Sequence, residues 1–476
     1  MKNEYKIARI TKDKNFDGKF FFGVKTTGIF CRPSCPSPTA KEENVVYFKD
    51  MFEALDQHFR PCFRCRPDIV LDYYNGNASG TLMVQTALKM IYDGYLNAHS
   101  VTGLAKELGV SDRHLRKLFL ENLGVPPVKI ARYHRALFAK KLLMFSDRPV
   151  TDIAFASGFG SIRQFNQVFK QTFGIAPSAV KKENGRSQEG NLTLLLPYTP
   201  PLNFFQMIEF IKIRSIKGVE VVDDQSYART FRTKQSKGYF IVRDNPVKSA
   251  LELSIFCDDI QCYMEIYNRV RRMFDLNTDF FPINQKFKED EHLSKGMSGS
   301  HVPRLPIDFN SFEFCVRAVL GQQISIQAAS TLAFRIAKKA SGVTTKEFPP
   351  GLDYFFPGPQ EVANTSLGGM GITRARQVTI AKIAQGLLDK TLSLNPNQPF
   401  EAFQKQFSAI RGIGEWTVNY VAMRALGMVD SFPATDLGII KALEKSGRRP
   451  GKKEILQQAE AWRPYRAYAA LCLWHQ

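Results

Sequence analysis

The sequence has no long apolar run and no excess of acidic residues. No window approaches the roughly 20 consecutive apolar residues that a membrane span needs, and the N-terminal MKNEYKIARI lacks an apolar core. We therefore expect no membrane partner and a chain that stays in the cytoplasm. Lys and Arg number 65 against 45 Asp and Glu, which gives a net charge of +20 and a pI near 9.5. So basic a chain is expected to bind a polyanion, but charge alone cannot choose among the ordinary candidates, which are DNA, RNA and anionic membranes.

Cysteine is also scarce, because eight residues in 476 are too few for a disulfide scaffold. Four of them form two close pairs separated by 26 residues: Cys31, Cys35, Cys62 and Cys65. Two such pairs are typical of a Zn(Cys)4 site, so the spacing predicts one Zn²⁺. A purely structural zinc knuckle is one interpretation of this site. The other four have no metal spacing and are expected to be buried thiols: Cys257, Cys262, Cys315 and Cys472.

The length and a hydrophobic content of 44% predict three or four domains rather than one core. The predicted fold class is multidomain and mainly α with α+β parts. A small zinc α/β domain is expected at 1–78 and an all-α domain at 79–182, followed by the polar linker 183–191, ENGRSQEGN. Short β-rich runs, LTLLLP, SIKGVEVV, YARTFRT and GYFIVR, predict an antiparallel-sheet subdomain at 192–300. Residues 301–476 are predicted to be mostly helical.

Two tandem helix-turn-helix patterns occupy the all-α segment. SVTGLAKELGVSDRHLRKLF has Gly109 at its turn and Ser111 before its second helix, and PVTDIAFASGFGSIRQFNQVFK has Gly158 and Ser161 at the same positions. Spacing assigns six residues to the core: Ile153, Ala154, Phe159, Phe165, Val168 and Phe169. Candidate base-reading side chains are Arg113, His114, Lys117, Arg163, Gln164 and Asn166. A phosphate contact or a solvated face is the alternative for each.

The stretch Ile410–Asp436, IRGIGEWTVNYVAMRALGMVDSFPATD, places a glycine hairpin a fixed distance before an isolated carboxylate. Gly412 and Gly414 flank Ile413, and glycines there would let backbone N–H groups approach a phosphate. Asp436 also suits the N-cap of a following helix, so both a functional and a capping role are open. Trp416 and Tyr420 recur at helical spacing, for which ordinary core packing is the alternative.

This hairpin, with Pro433 and Asp436 after it, resembles the helix-hairpin-helix DNA glycosylases. From about Asn191 onward the chain looks like the AlkA-type 3-methyladenine glycosylases. The resemblance implies that Asp436 is catalytic, that the hairpin grips DNA, and that Gln323 in RAVLGQQIS is the wedge. It also implies a base pocket formed by Trp416, Tyr420, Trp474 and Phe210.

Two departures from relatives narrow this interpretation. Strand-cutting relatives carry a Lys just after the hairpin, where this chain has Glu415 and Trp416, so a monofunctional enzyme is expected. Other relatives carry a four-Cys iron–sulfur cluster after the Asp, but only Cys472 follows Asp436 here, which excludes that cluster.

The cysteine segments TTGIFCRPSC and FRPCFRCRPD resemble the zinc domain of Ada-type methylphosphotriester repair proteins. The resemblance implies that Cys31 accepts a methyl group and that methylation, by reducing negative charge, favours DNA binding. The tandem helix-turn-helix segment resembles the AraC-type DNA-binding domain. The Pro-Cys-His-Arg methyltransferase half that many Ada regulators carry does not appear in this sequence.

These observations predict an alkylation-damage protein that joins a methylphosphotriester sensor and transcriptional activator to a glycosylase for alkylated purines. Double-stranded DNA is the expected partner, RNA polymerase is a candidate partner, and a monomer is expected. One alternative is a regulator with structural zinc and an inactive damage-binding module. The other is a glycosylase for oxidised or deaminated bases, which the missing Lys and missing cluster disfavour.

Overall fold

The computed structural model describes residues 2–62, 64–65, 67, 79–145, 148–183, 193–234, 236–345, 347–445 and 447–476. Of the predicted linker, residues 184–191 lie outside the described residues, and so does residue 78, the predicted end of the first domain. Within the described ranges, no helix combines the length and the apolar character required to cross a bilayer.

The chain folds into two compact units, which are treated separately below. The first unit contains residues 1–200 and 245–268, and the second contains residues 201–244 and 269–476. Each unit therefore includes a stretch of chain from within the predicted 192–300 subdomain.

The described residues form nine strands. They are β1 Phe21–Val24, β2 Ile29–Cys31, β3 Val45–Phe48, β4 Arg60–Pro61, β5 Thr193–Pro197, β6 Glu220–Val222, β7 Ser226–Arg232, β8 Lys237–Asn245 and β9 Ala250–Cys257. In the first unit one sheet has the order β3-β1-β2-β4, and β5 pairs antiparallel with β9. In the second unit β6, β7 and β8 form an antiparallel meander.

The helices of the first unit include both helix-turn-helix pairs. They are α1 Lys2–Thr11, α2 Met51–Asp56, α3 Ser79–Tyr92, α4 Tyr95–Ala98, α5 Val101–Glu107, α6 Asp112–Leu123, α7 Pro127–Phe145, α8 Val150–Ala156, α9 Ile162–Phe173 and α10 Pro177–Glu183. The next helices are α11 Phe204–Lys212, α12 Tyr263–Met273, α13 Phe280–Phe287, α14 Ser311–Leu320, α15 Ile326–Ala340 and α16 Pro359–Asn364. The last are α17 Arg374–Leu388, α18 Phe400–Ser408, α19 Glu415–Arg424, α20 Leu437–Ala442, α21 Lys452–Ala459 and α22 Arg466–Trp474.

The helix-turn-helix turns form where the local sequence predicts them. Ser111 Oγ accepts the N–H of His114 at 3.2 Å and so caps α6, and Ser161 caps α9 in the same way. Gly109 and Gly158 have φ of +71° and +80°, which glycine adopts without strain. The six predicted core residues between Ile153 and Phe169 are all buried.

Strand β9 was not predicted, although its sequence carries a signal. In ALELSIFC the side chains of Leu251, Leu253 and Ile255 are buried, while those between them are partly exposed. This alternation of period two is that of a strand with one covered face. The prediction for Cys257 is wrong, because it is only partly buried at the end of β9, where its sulfur lies 3.4 Å from that of Cys262.

A buried carboxylate in the second unit predicts how stability depends on pH. Asp275 accepts the N–H of Leu305 at 2.9 Å and the hydroxyl of Tyr468 at 3.0 Å, and burial raises its pKa to about 6. Between its unfolded value and pH 6 the folded state therefore binds more protons, so the free energy of unfolding falls as pH rises through this window. We expect a loss of about 3 kcal/mol at most from this group by pH 7.5. Asp275→Asn should flatten this fall.

Denaturant unfolding of both proteins at pH 5 and pH 7.5 measures the part of this fall that lies above pH 5, about 1.4 kcal/mol for the wild type. Asp389→Asn, at the exposed C-terminal end of α17, is the matched control and should leave the wild-type slope intact. Equal slopes for wild type and Asp275→Asn would mean that this carboxylate does not couple folding to protons.

Candidate active site and metal centre

The glycine hairpin lies between α18 and α19. Gly412 has φ of +97°, and a Cβ at this position would lie 2.4 Å from Thr379 Oγ1. That hydroxyl donates to the carbonyl of Arg411 at 2.9 Å, and Gly414 is the N-cap of α19. Thr379 of α17 packs directly against the hairpin, so only glycine fits at position 412. The space around Gly414 is open.

Asp436 is the N-cap of α20 and also accepts hydrogen bonds from two indoles. Its Oδ1 accepts the N–H groups of Gly438 at 2.9 Å and Ile439 at 3.3 Å. Trp474 Nε1 donates to Oδ1 and Trp416 Nε1 donates to Oδ2, each at 2.9 Å. From the sequence, capping and a functional role were alternatives for Asp436. The two roles are compatible, because the capping bonds use Oδ1, whereas Oδ2 has one donor among the described residues. Four N–H donors fix the orientation of an anionic group.

Aromatic rings surround this carboxylate. Trp416 stacks on Tyr420 with centroids 4.7 Å apart, and Trp474 meets Tyr420 edge-on at 6.3 Å. Together with Phe314 and Phe210 they line a cavity of about 540 Å³ that also contains Asp436. The structure therefore brings all four predicted pocket residues and the predicted carboxylate to one cavity within the second unit.

Arg214 was missed by the sequence analysis, although it also lines this cavity. Its guanidinium carbon lies 3.6 Å from the centroid of the Phe210 ring, and that of Arg424 lies 4.6 Å from the same centroid. An Arg four residues after an aromatic residue at a helix end is the signal that could have indicated it.

The predicted wedge lies in the turn between α14 and α15. Gln323 is exposed and has φ of +57°, in the left-handed region that a non-glycine residue rarely adopts. Its neighbour Gln322 was not singled out from the sequence. Gln322 Nε2 donates to the carbonyl of Gly412 at 3.0 Å and to Thr417 Oγ1 at 3.2 Å. Gln322 therefore braces the hairpin.

The predicted zinc ligands converge because β2 and β4 are neighbours. Cys31 ends β2, Cys62 follows β4, and the N–H of Cys62 donates to the carbonyl of Phe30 at 3.0 Å. The four sulfurs lie within 4.8 Å of one another, and all four residues are buried. Cys35 and Cys62 have sulfurs 3.9 Å apart, close to the roughly 3.8 Å that two sulfurs bound to one Zn²⁺ at 2.3 Å would show.

The four thiols affect one another's protonation because their sulfurs lie so close together. The neighbouring sulfurs, above all that of Cys31, hold the pKa of Cys62 well below its usual range. The pKa of Cys31 is raised far above its usual range, mainly by its contact with the sulfur of Cys35. Four thiolates this close repel one another, so they all stay deprotonated only when a positive ion lies among them. The donor set therefore suits Zn²⁺.

The candidate base-reading residues lie on two helices of the first unit. On α6 the side chains of Arg113, His114 and Lys117 are exposed. On α9 those of Arg163 and Asn166 are exposed, and that of Gln164 is partly buried. The opposite face of each helix is apolar and buried, so both helices turn their polar faces outward.

Comparison with known families matches three parts of the chain. Residues 4–68 match the metal-binding domain of Ada, residues 104–183 match a helix-turn-helix domain, and residues 193–310 match the AlkA N-terminal domain. A probable bifunctional transcriptional activator/DNA repair enzyme AlkA of Mycobacterium tuberculosis is 34% identical over 470 residues, which cover 98% of this chain and 94% of that protein. This chain belongs to the family of bifunctional transcriptional activators and DNA repair enzymes.

Other relatives match only part of this bifunctional activator and repair enzyme. DNA-3-methyladenine glycosylase 2 of Escherichia coli is 30% identical over 288 residues, covering 59% of this chain and 96% of that protein. The structure of a 3-methyladenine DNA-glycosylase from Archaeoglobus fulgidus covers 59% of this chain and 96% of that one, with a TM-score of 0.50 and 19% identity. At that identity the likeness shows a shared fold.

The family assignment confirms the resemblances to Ada-type and AlkA-type proteins, the multidomain fold class and DNA as a partner. It also confirms the cofactor, which is one Zn²⁺ with cysteine ligands. The individual roles of site residues stay predictions.

Proposed function

We propose that this bifunctional protein excises alkylated purines from DNA at Asp436 and accepts methyl groups from methylphosphotriesters at Cys31. The observation that supports the first activity most strongly is the anchored carboxylate. Asp436 lies in an aromatic cavity and receives hydrogen bonds from Trp416, Trp474 and two backbone N–H groups. A carboxylate that is held this way does not need to reorganise when positive charge develops beside it.

The cavity admits a base only after the base has left the helical stack. Extrusion costs a few kcal/mol, and less when damage has weakened the pair. We propose that the backbone of Gly412, Ile413 and Gly414 binds a DNA phosphate. Gln323 would fill the gap that the extruded base leaves in the duplex. Asp436 then stabilises the positive charge that develops on the deoxyribose as the bond to the base breaks.

Water completes the reaction. We propose that Oδ2 of Asp436 positions or activates the water that attacks the deoxyribose. Among the described residues this oxygen accepts only the Trp416 N–H, so it can accept a further hydrogen bond. Bond cleavage leaves the free base and an abasic site. Glu415 and Trp416 follow the hairpin where strand-cutting relatives carry a Lys, so we propose no covalent sugar–enzyme intermediate.

The second activity is assigned to the cysteine site. Cys31, Cys35, Cys62 and Cys65 would hold Zn²⁺, which keeps thiolates deprotonated and nucleophilic at neutral pH when bound. The Cys31 sulfur forms a bond to the methyl carbon as the methyl–oxygen bond of the phosphotriester breaks, leaving an anionic phosphodiester. The resemblance to Ada-type proteins supports the choice of Cys31 among the four.

Methylation of Cys31 is proposed to switch the activator. The site loses one negative charge, which reduces its repulsion from DNA phosphates and favours binding through α6 and α9. The proposed domains are 1–78, 79–182, 192–300 and 301–476, joined at 183–191. We propose that the protein acts as a monomer in the cytoplasm, with RNA polymerase as the partner in activation.

One labelling experiment tests both chemistries. Purified protein is mixed with DNA that carries radiolabelled methyl groups, and the label is followed into free bases and into protein. We expect labelled methylpurine in solution and protein-bound label that peptide mapping places on Cys31. Cys31→Ala should lose the protein-bound label, whereas the control Cys257→Ala, outside the zinc site, should keep it.

The two arms fail separately. Base release without labelled protein would reduce the cysteine site to a structural role. Labelled protein without base release would leave a regulator with an inactive damage-binding module.

A further inference from the structure

One wall of the aromatic cavity is held by hydrogen bonds more than by burial. Phe210 and Arg214, at and just beyond the C-terminal end of α11, line the cavity. Every residue from 209 to 215 is at least partly exposed, whereas Ile208 before this stretch and Ile216 after it are buried. Apolar packing therefore contributes little to the position of this wall, and its polar contacts become important.

Side chains from two helices donate to one carbonyl in this wall. The carbonyl oxygen of Arg214 accepts Nη2 of Arg317 from α14 at 2.5 Å and Oγ of Ser330 from α15 at 3.1 Å. The Arg214 side chain folds back over Phe210. Its Nη1 donates to the carbonyl of Phe210 at 2.9 Å, and its guanidinium carbon lies 3.6 Å from the centroid of the ring. The position of the Phe210 ring therefore follows the position of the Arg214 backbone.

Arg317 is itself fixed by two carboxylates. Its Nη1 donates to Asp308 and to Glu313, each at 3.3 Å, while Nη2 donates to the Arg214 carbonyl. Glu313 is fully buried and also pairs with Arg229 at 2.6 Å. A guanidinium can serve both kinds of partner at once because its N–H groups point in fixed directions. One of the two donors to the wall is thus anchored in a buried ion-pair cluster.

The position of this wall matters because base release depends on alignment. An extruded base must present its glycosidic bond to Asp436, and a misplacement of about 1 Å can cost on the order of 10²-fold in rate. Phe210 is one of the aromatic rings that the base would meet in the cavity. A wall that could shift would leave the base several orientations, of which only some bring the bond to the carboxylate.

We propose that Ser330 and Arg317 are positioning residues for base release, because they hold the Phe210 wall at a fixed distance from Asp436. This inference rests on the proposed glycosylase function and extends it to two residues for which the sequence predicted no role. Neither residue is proposed to touch the reacting atoms, so both act through the orientation of the base.

Two substitutions in the full-length protein test this role. Ser330→Ala removes one donor to the Arg214 carbonyl. Arg317→Lys keeps a positive charge beside the carboxylates, but one ammonium group cannot reproduce the fork of the guanidinium. The first readout is the rate constant of single-turnover release from a duplex with one 7-methylguanine, with protein in saturating excess, so that a smaller folded fraction does not change it. The second is affinity for a duplex with an abasic-site analogue, which has no base for the wall to orient.

We expect the release rate constant to fall about fivefold in Ser330→Ala and about tenfold in Arg317→Lys, as for the loss of one hydrogen bond, with affinity for the abasic-site duplex within about twofold of wild type. Ser341→Ala is the matched control. It removes a hydroxyl that donates to the carbonyl of Ala337 at 2.7 Å at the other end of α15, outside the cavity, and should leave both values unchanged.

The outcomes separate this inference from the function on which it rests. A wild-type rate constant in Ser330→Ala would overturn the proposal, whatever the result for Arg317→Lys. Equal losses of rate constant and of affinity for the abasic-site duplex would also overturn it, because the substitutions would then act on DNA binding and not on the base. If the wild type released no base, the proposed glycosylase function would fail instead.

Discussion

Asp436→Asn is expected to slow base release by about a thousandfold or more while leaving binding to damaged DNA intact. An amide carries no charge to balance the cation that develops on the sugar, and loss of one well-placed electrostatic contact alone costs roughly 10² to 10³ in rate. The substitution also disturbs the anchoring. If Oδ1 keeps the N–H groups of Gly438 and Trp474, the new amide donor points at the N–H of Trp416, where a donor meets a donor.

Single-turnover release from a duplex with one alkylated purine measures the rate, and titration of a duplex carrying an abasic-site analogue measures binding. Asp389→Asn makes the same chemical change at an exposed position outside the cavity and should release bases at the wild-type rate. Base release at the wild-type rate by the Asp436→Asn variant would remove Asp436 from the mechanism.

Among glycine-to-alanine substitutions in the second unit, Gly296→Ala should lower the stability of the fold the most. A Cβ on Gly296 would lie 1.7 Å from the carbonyl oxygen of Cys472 and 2.5 Å from its carbon. Both atoms belong to the backbone of α22, so relief requires the helix to move away from the turn at 293–296. Overpacking of this kind costs about 3 kcal/mol or more. Because α22 carries Trp474, a donor to Asp436, we expect base release to fall as well.

Thermal unfolding and single-turnover release of the purified variant test this expectation. Gly342→Ala is the matched control, since a Cβ there meets no atom within 4 Å and its backbone is not in the left-handed region. The control should keep wild-type stability and activity. If Gly296→Ala were equally stable, the close approach of α22 to this turn would not exist in solution.

Local features of this chain were predictable, whereas partnerships across the chain were not. Ser111 and Ser161 cap their helices through atoms three residues away, so the sequence contains both partners of each bond. Arg229 and Glu313 form a buried ion pair at 2.6 Å across 84 residues, and no local pattern connects them.

The active site shows the same limit. The resemblance indicated Asp436, Trp416 and Trp474 individually, but the bond that each indole makes to the same carboxylate depends on how α19, α20 and α22 pack. Arg214 was missed for a related reason. A cation one turn beyond Phe210 is unremarkable until the fold places both side chains on the cavity that contains the carboxylate.

The bridge from Gln322 to the hairpin has a mechanical consequence. One amide group joins the turn that carries Gln323 to the loop that carries Gly412, so the two loops are bonded directly to each other. Under the roles proposed for these loops, insertion of Gln323 into the duplex and the grip of the hairpin on the strand are therefore mechanically coupled. If one loop moves along the DNA, the other moves with it, and the distance between the two loops is set before the protein meets a lesion.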